Sequence, residues 1–396
     1  MLTLRKVIYY EYIARRRSIS TLISPDVLVP PHILNLRPYE PGLNAEQVRA
    51  RFGVSRAIKL ASNENPLGTS PKALECAQRA LHDMSLYPDG GLALRRKLAD
   101  RFELKVGNVI VGAGSESIMA NVVRTFLCDN DEVLTTEAAF GGFQVLARGR
   151  GVAYRTVPYG NWAYDLRALA GAITERTKLI YLANPNNPTG SFFTREAFEA
   201  FHAQVPDRVL IILDEAYFEF AMREPSYPDS MHYRFDNVIT LRTFSKAYGL
   251  AAARIGYGFA HEDLISMLLK IKLPFEPGGV ASAAALGALD DPEFVQRTVD
   301  NNRGGLRSLT RSLRAMDLEV VPSAANFLMV VFGTETEAHQ TFEQLLQYGV
   351  IVRPLKGTGL PRCLRISVGT AEENEICVGA LRRVRVQMEV NRYATT

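Results

Sequence analysis

No stretch of this 396-residue chain approaches the ~18–20 consecutive apolar residues of a membrane helix, so a helical membrane span is excluded. Cysteine is scarce: Cys76, Cys128, Cys363 and Cys377 are scattered and form no CxxC pair. That usage excludes a disulfide scaffold and a cysteine zinc site, and it predicts reduced thiols in a cytoplasmic protein. Six histidines are equally dispersed, without metal-ligand spacing, so no metal is expected. No long basic tract follows the first twenty residues, and 46 Lys+Arg against 42 Asp+Glu leave a formal charge of only +4. Nothing in that balance asks for nucleic acid. Internal repeats and low-complexity segments are absent too, which excludes solenoids and fibrous chains. What remains is a soluble globular chain long enough for two domains.

The first thirty residues fit poorly with the rest. LRKVIYYEYIARRRSISTLIS is basic and partly apolar, as an organellar targeting peptide would be, but Glu11 interrupts it and no apolar centre follows. A poorly ordered tail or upstream extension over residues 1–30 is the expectation, and it is too short to hold a DNA-binding domain. Asn35 to Gly42 is a turn-rich arm whose conspicuous group is Tyr39. Lys59-Leu60-Ala61 reads as a strand running into the polar loop Ser62-Asn63-Glu64-Asn65, and Pro71 opens a helix where its missing N–H costs nothing. Tyr87-Pro88-Asp89-Gly90-Gly91 is a proline–glycine turn, in which an exposed tyrosine matters only if the loop reaches a neighbouring subunit.

The strand Asn108–Val111 turns through Gly112-Ala113-Gly114-Ser115-Glu116 into a helix with an apolar stripe at Ile118, Val122 and Phe126. Such a turn offers an anion the backbone N–H groups and dipole of a helix N-terminus. It is a weak dinucleotide signal, because Ser117 stands where a third glycine belongs. The strand 133–137 leads to Phe140 beside two glycines, which either stacks on a flat ring or is plain core.

Three further strands deliver polar residues at their carboxyl ends. Lys178–Leu182 leads to Asn187, Val209–Leu213 to Asp214 and Tyr217, and Val238–Leu241 to Thr243, Ser245 and Lys246. A helix over 195–204 separates the first two, so these read as parallel βαβ units whose polar ends meet at one edge, where open α/β sheets bind ligands. Lys246 there would be partly desolvated, which lowers an amine's pKa and favours its nucleophilic form. Arg254 follows eight residues later among alanines. A Schiff-base lysine with Ser245 and Arg254 as phosphate donors is what pyridoxal phosphate needs from a protein. Asp214 would face the protonated pyridine nitrogen, although taken alone it reads as a helix N-cap, which the whole set argues against. Beyond 291 the pattern changes to a long polar helix, short strands and a closing helix. In the strand 363–368, Leu364, Ile366 and Val368 share one face and leave Arg365 on the other, suited to a bidentate anion or to a surface carboxylate.

In this order NENPLG, YPDGG, GAGSE, NPNNPTG, DEAY, TFSKAYGLAAARIGY, VIVRPL and CLRISVGT resemble the histidinol-phosphate aminotransferases of the fold-type-I pyridoxal-phosphate enzymes, from about Asn35 to the C-terminus. The resemblance implies an α/β fold with a large domain (61–290) built on a mostly parallel seven-stranded sheet. A smaller α+β domain (291–396) is implied as well, with residues 31–60 forming an arm and part of it. It implies pyridoxal 5′-phosphate as cofactor and Lys246, Asp214 and Tyr217 as catalytic residues. Gly114, Ser115, Glu116, Phe140, Asn187, Thr243, Ser245 and Arg254 would bind the cofactor, joined by Tyr87 lent from the partner of a homodimer with shared sites. Tyr39, Asn63, Asn187, Arg353 and Arg365 would bind substrate. The implied reaction passes an amino group between histidinol phosphate and 2-oxoglutarate in histidine biosynthesis. An aromatic-amino-acid aminotransferase or a threonine-phosphate-type decarboxylase shares the same lysine and aspartate. A cofactor-binding regulator would need a DNA-binding module, and a Rossmann dehydrogenase a third glycine. Two departures stand out: Ala252-Ala253 where the family usually has glycine, and Glu276-Pro277-Gly278 where asparagine is common. Glu276 near the substrate would disfavour a phosphate there.

Overall fold

The computed structural model describes residues 24–38, 42–232 and 234–394. Ser24–Pro38 belongs to a separate unit, Met1–Pro38, and carries two one-turn helices, Pro25–Leu28 and Pro31–Leu34. The remainder of the expected extension, and Tyr39, lie outside the described residues.

Among the described residues of the second unit, from residue 39 onward, thirteen strands run in chain order. They are β1 (Ile58–Lys59), β2 (Val109–Gly112), β3 (Glu132–Thr136), β4 (Ala153–Val157), β5 (Thr177–Ala183), β6 (Leu210–Asp214) and β7 (Val238–Thr243). After these come β8 (Gly256–Phe259), β9 (Glu319–Val321), β10 (Phe327–Val331), β11 (Val350–Ile351), β12 (Arg353–Pro354) and β13 (Cys363–Ser367). Seven form one sheet in the order β2-β8-β7-β6-β5-β3-β4. All its pairings are parallel except the two made by β8. β6 and β7 are buried at every residue, and β5 at all but Lys178, which explains their nearly continuous apolar sequence: strands covered on both faces have no solvent side to alternate toward.

β8 has to thread tightly between β2 and β7. A Cβ on Gly256 would lie 2.4 Å from the Ser115 amide nitrogen, and one on Gly258 would lie 2.8 Å from Leu241. Glycine at 256 therefore lets the strand after Arg254 press against the turn that starts the helix Ser115–Phe126.

The ends of β6 and β7 are locked by charge. Arg242, fully buried, donates from Nε to Glu215 at 2.8 Å and from Nη2 to Asp229 at 2.9 Å, over the Phe218 ring at 3.3 Å. Glu215 is thus matched to a cation on one face, while its neighbour Asp214 points to the other. Losing either partner would strand a buried charge, at a cost of about 3–5 kcal/mol.

A second antiparallel sheet, β12-β13-β10-β9, and the parallel pair β1-β11 lie C-terminal in sequence apart from β1. Leu328, Val330, Leu364 and Ile366 bury one face of the antiparallel sheet against Leu309, Leu313, Leu381 and Val384 of the helices Pro292–Arg314 and Ala371–Ala394. The opposite face carries Arg365 and Ser367. No described helix is long and apolar enough to cross a membrane.

Candidate active site

The parallel register decides which strand-end groups meet. Ala183 pairs with Asp214 and Asp214 with Leu241, so the carboxyl ends of β5, β6 and β7 lie side by side. Tyr181, two residues before Ala183 on the same face, donates its hydroxyl to Asp214 Oδ2 at 2.7 Å. The Ala216 amide donates to Oδ1 at 3.2 Å. Burial pushes the Asp214 carboxyl up to about 6, against the opposing pull of the Tyr181 hydrogen bond. Among the described residues no cationic side chain lies within ion-pair distance of Asp214, which is therefore a buried carboxylate held by neutral donors.

Lys246 follows β7 and is partly buried. Its Nζ donates to the Ser62 carbonyl at 3.2 Å. Desolvation, followed by the positive charge of Arg365, depresses the amine to about 8. The loop that supplies Ser62 also supplies Asn63, whose Nδ2 donates to the Tyr217 hydroxyl at 2.9 Å. Asn63 is itself clamped by Ser367 of β13: its amide donates to Ser367 Oγ at 2.9 Å, and that hydroxyl donates to Asn63 Oδ1 at 2.7 Å. From the same face of β13, Arg365 donates to Asn187 Oδ1 at 2.5 Å and to the Ala61 carbonyl at 2.7 Å. Arg353 sits directly opposite Arg365 across the β12–β13 pair, which puts two guanidinium groups on one face.

An anion cradle forms beside this group. Gly114 has φ +81°, and a Cβ there would lie 2.7 Å from Arg254 Nη2. Only glycine allows the arginine so close to the first turn of the helix. Arg254 Nη1 donates to Ser245 Oγ at 3.4 Å and Nη2 pairs with Glu116 at 3.5 Å, while the Ser245 amide donates to Thr243 Oγ1 at 3.1 Å. Phe140 is partly buried at the edge of the core that contains Phe143 and Tyr181, themselves stacked at 4.2 Å.

The structure thus brings Lys246, Asp214, Tyr217, Asn63, Asn187, Arg365 and Arg353 together, with Gly114, Ser115, Glu116, Thr243, Ser245 and Arg254 as the neighbouring cradle. Tyr87 is not among them. It is 81% exposed and stacks on Phe275 at 4.4 Å. Glu276 differs from expectation, because its Oε1 accepts the Ala113 amide at 2.9 Å. It braces the Gly112–Ser115 turn, an acceptor serving a turn amide, and that contact is with the anion cradle instead of with β13.

Sequence reasoning missed Tyr181 and Ser367. Each carried a signal, since a tyrosine inside an apolar strand needs a partner for its hydroxyl and Ser367 alternates with Arg365. Their partners depend on the register between strands.

Comparison with known proteins resolves the class. The family described as "Aminotransferase class I and II" matches residues 55–381. The chain belongs to the class I and II aminotransferases. Among relatives of this aminotransferase, the histidinol-phosphate aminotransferase 2 of Hydrogenovibrio crunogenus is 41% identical over 358 residues, covering 89% of this chain and 95% of that protein. The histidinol-phosphate aminotransferase of Akkermansia muciniphila is 41% identical over 359 residues, covering 89% and 97%. A crystal structure of histidinol-phosphate aminotransferase from Sinorhizobium meliloti in complex with pyridoxal-5′-phosphate superposes with a TM-score of 0.83 at 30% identity, covering 93% of this chain and 99% of that one. The aminotransferase therefore has the fold-type-I architecture, a seven-stranded mixed sheet flanked by helices with a smaller sheet beside it.

The donor set fits that cofactor. A protonated pyridine nitrogen would supply the cation that Asp214 lacks, a phosphate would meet the Gly114–Ser115 helix start with Arg254, and an aldehyde carbon would meet a depressed amine.

Proposed function

We propose that this aminotransferase uses pyridoxal 5′-phosphate to move the amino group of histidinol phosphate to 2-oxoglutarate, yielding imidazole acetol phosphate and L-glutamate. The observation that carries the substrate assignment is the pair Arg353 and Arg365, opposed on one sheet face beside Asn187. Two guanidinium forks side by side suit a phosphate dianion, which one arginine would leave half neutralised.

When bound, the cofactor supplies an electron sink for negative charge developing at the substrate carbon. Gly114, Ser115, Ser245 and Arg254 would hold its phosphate, with Glu116 and Thr243 bracing that cradle. Phe140 would cover its ring, and Tyr217 and Asn187 would hold its phenolic oxygen. Asp214, ionised above about pH 6, would hold positive charge on the ring nitrogen, and the Tyr181 hydroxyl fixes the Asp214 carboxylate in place for it. Lys246 Nζ takes a proton from the substrate carbon and returns it on the far side of the reaction. Its depressed basicity makes the neutral form available near pH 8. Asn63 orients the Tyr217 phenol, and Arg365 with Arg353 orients the substrate's anionic end.

We read residues 61–290 as the large domain and 291–396 as the small one, with 31–60 as an arm whose β1 joins the small domain by pairing with β11. The working unit is a homodimer in the cytoplasm, with Tyr87 serving the partner's cofactor phosphate. Its support is the exposed apolar surface around Tyr87, where Met84 and Leu86 are 71% and 69% exposed and Phe275 is 50% exposed.

A substrate panel tests the reading. Histidinol phosphate should give a kcat/KM about 10²-fold or more above phenylalanine and tyrosine, because a site built for a charged group rejects analogues that lack it. Preference for an aromatic amino acid, or release of CO2 from threonine phosphate, would replace it.

A further inference from the structure

The helix Pro292–Arg314 buries Asn302, Gly305, Leu309 and Leu313 and turns a different face outward. Arg303, Arg307, Arg311 and Arg314 are all exposed there, at spacings of four, four and three residues, so they form one stripe. Among the described residues none of the four has a carboxylate within ion-pair distance. Elsewhere the chain does pair exposed arginines, as in Arg56–Glu372, Arg79–Glu75 and Arg223–Asp300. Like charges four residues apart destabilise a helix. Proximity to the C-terminal end of the helix dipole offsets that for Arg311 and Arg314, but not for Arg303 and Arg307.

The stripe also borders a groove. Arg307, Arg311 and Arg314, with Thr310 and Ser323, line an open cavity of about 590 Å³ whose apolar lining is the half-buried Leu306 and the buried Leu328. No carboxylate lines it. Ser323 Oγ accepts the Ala325 amide at 3.1 Å. The Ser323 wall is rigid: a Cβ on Gly190 would lie 2.3 Å from Ser323 Oγ, and the Ala324 amide donates to the Gly190 carbonyl at 2.9 Å. Three guanidinium groups spread over about 10 Å of helix, two hydroxyl side chains and an apolar lining share a volume typical of small-molecule sites.

We propose that this groove is a second ligand site, for a small organic molecule carrying two phosphate groups. Two phosphates carry enough negative charge to engage three guanidinium groups, which a single phosphate would leave partly unpaired. The apolar floor takes the organic body. The groove lies outside the residues assigned to catalysis, so the proposal stands whether or not histidinol phosphate is the substrate.

The test is calorimetric titration of the cofactor-loaded protein with ADP as an organic diphosphate, repeated with inorganic pyrophosphate at matched ionic strength. Wild type should bind one equivalent of ADP per chain. The double variant Arg307→Gln, Arg311→Gln should bind it at least about tenfold more weakly, corresponding to the loss of two charge-assisted contacts. Pyrophosphate should bind more weakly than ADP and show the same dependence. Glutamine is as good a helix former as arginine, so the variant should keep the wild-type melting temperature and unliganded kcat/KM. ADP binding unchanged in the double variant would place the ligand elsewhere and overturn the site. Heats that vanish in 150 mM KCl, compared at about 10 mM, would reduce the stripe to a screened surface charge and overturn it as well. Displacement of ADP by single-stranded RNA at equal phosphate concentration would overturn the small-ligand class.

Discussion

Asp214 and Glu215 are neighbours in sequence and opposites in environment. Glu215 is matched to Arg242 at 2.8 Å, whereas Asp214 is held by a phenol and an amide and is pushed up to about 6 by burial. Lys246 is displaced in the complementary direction, down to about 8. Between those two values the carboxyl is ionised while the amine is approaching its neutral form, which is the combination the proposed chemistry asks for. The sign is testable without turnover. An amine reacts with an acylating reagent only when neutral, so labelling of Lys246 in the cofactor-free protein should rise through pH 8. An ordinary lysine rises near its reference value of about 10.4. Competitive labelling read by mass spectrometry gives the midpoint, and a value above about 10 would show that the amine is not desolvated.

Among the elements, the loop after the helix Glu262–Ile271 has a part its sequence did not announce. Lys272 Nζ reaches the Glu276 and Gly90 carbonyls, Phe275 stacks on Tyr87, and Glu276 accepts the Ala113 amide. One short loop therefore touches both the Tyr87 turn and the turn that begins the anion cradle. Replacing Glu276 by alanine should loosen that cradle and weaken pyridoxal 5′-phosphate by about tenfold, the scale of one hydrogen bond to a charged group. Pyridoxal, which lacks the phosphate, should bind as before, and Glu276→Gln should restore affinity because its amide oxygen still accepts. Absorbance titrations of the three proteins with both compounds decide it. Equal losses for the two compounds would assign Glu276 to general stability instead.

At the scale of the whole molecule the open matter is assembly. Tyr87 lies on the surface, so in this chain alone it serves no site. If it completes the partner's cradle, two inactive variants, Tyr87→Ala and Lys246→Ala, should complement when their subunits exchange. In a mixed dimer one site receives both lesions and the other receives neither. Half of freely exchanged dimers are mixed, so activity should return toward roughly a quarter of wild type. Demonstrated exchange without recovery would confine Tyr87 to its own chain.

The order of elements was legible from the sequence. Apolar runs ended in polar residues at 184–187, 214–217 and 243–246, and the period-3.6 stripe of Ile118 and Val122 marked the helix Ser115–Phe126 before them. Those signals are local, since a strand covered on both faces must be apolar and its end must change character. The convergence of Asn187, Asp214 and Lys246 on one edge followed from parallel βαβ connectivity, which is also read along the chain. Everything lateral was decided by the tertiary structure. Tyr181 finds Asp214 because β5 and β6 pair Ala183 with Asp214, and Asn63 finds Ser367 across 304 positions. Glu276, whose charge in sequence suggested a conflict with substrate, instead meets a backbone amide 163 positions away. Backbone periodicity states which face a residue occupies, but a hydrogen bond depends on register and on loops closing over long separations. Those are set by how whole faces bury one another.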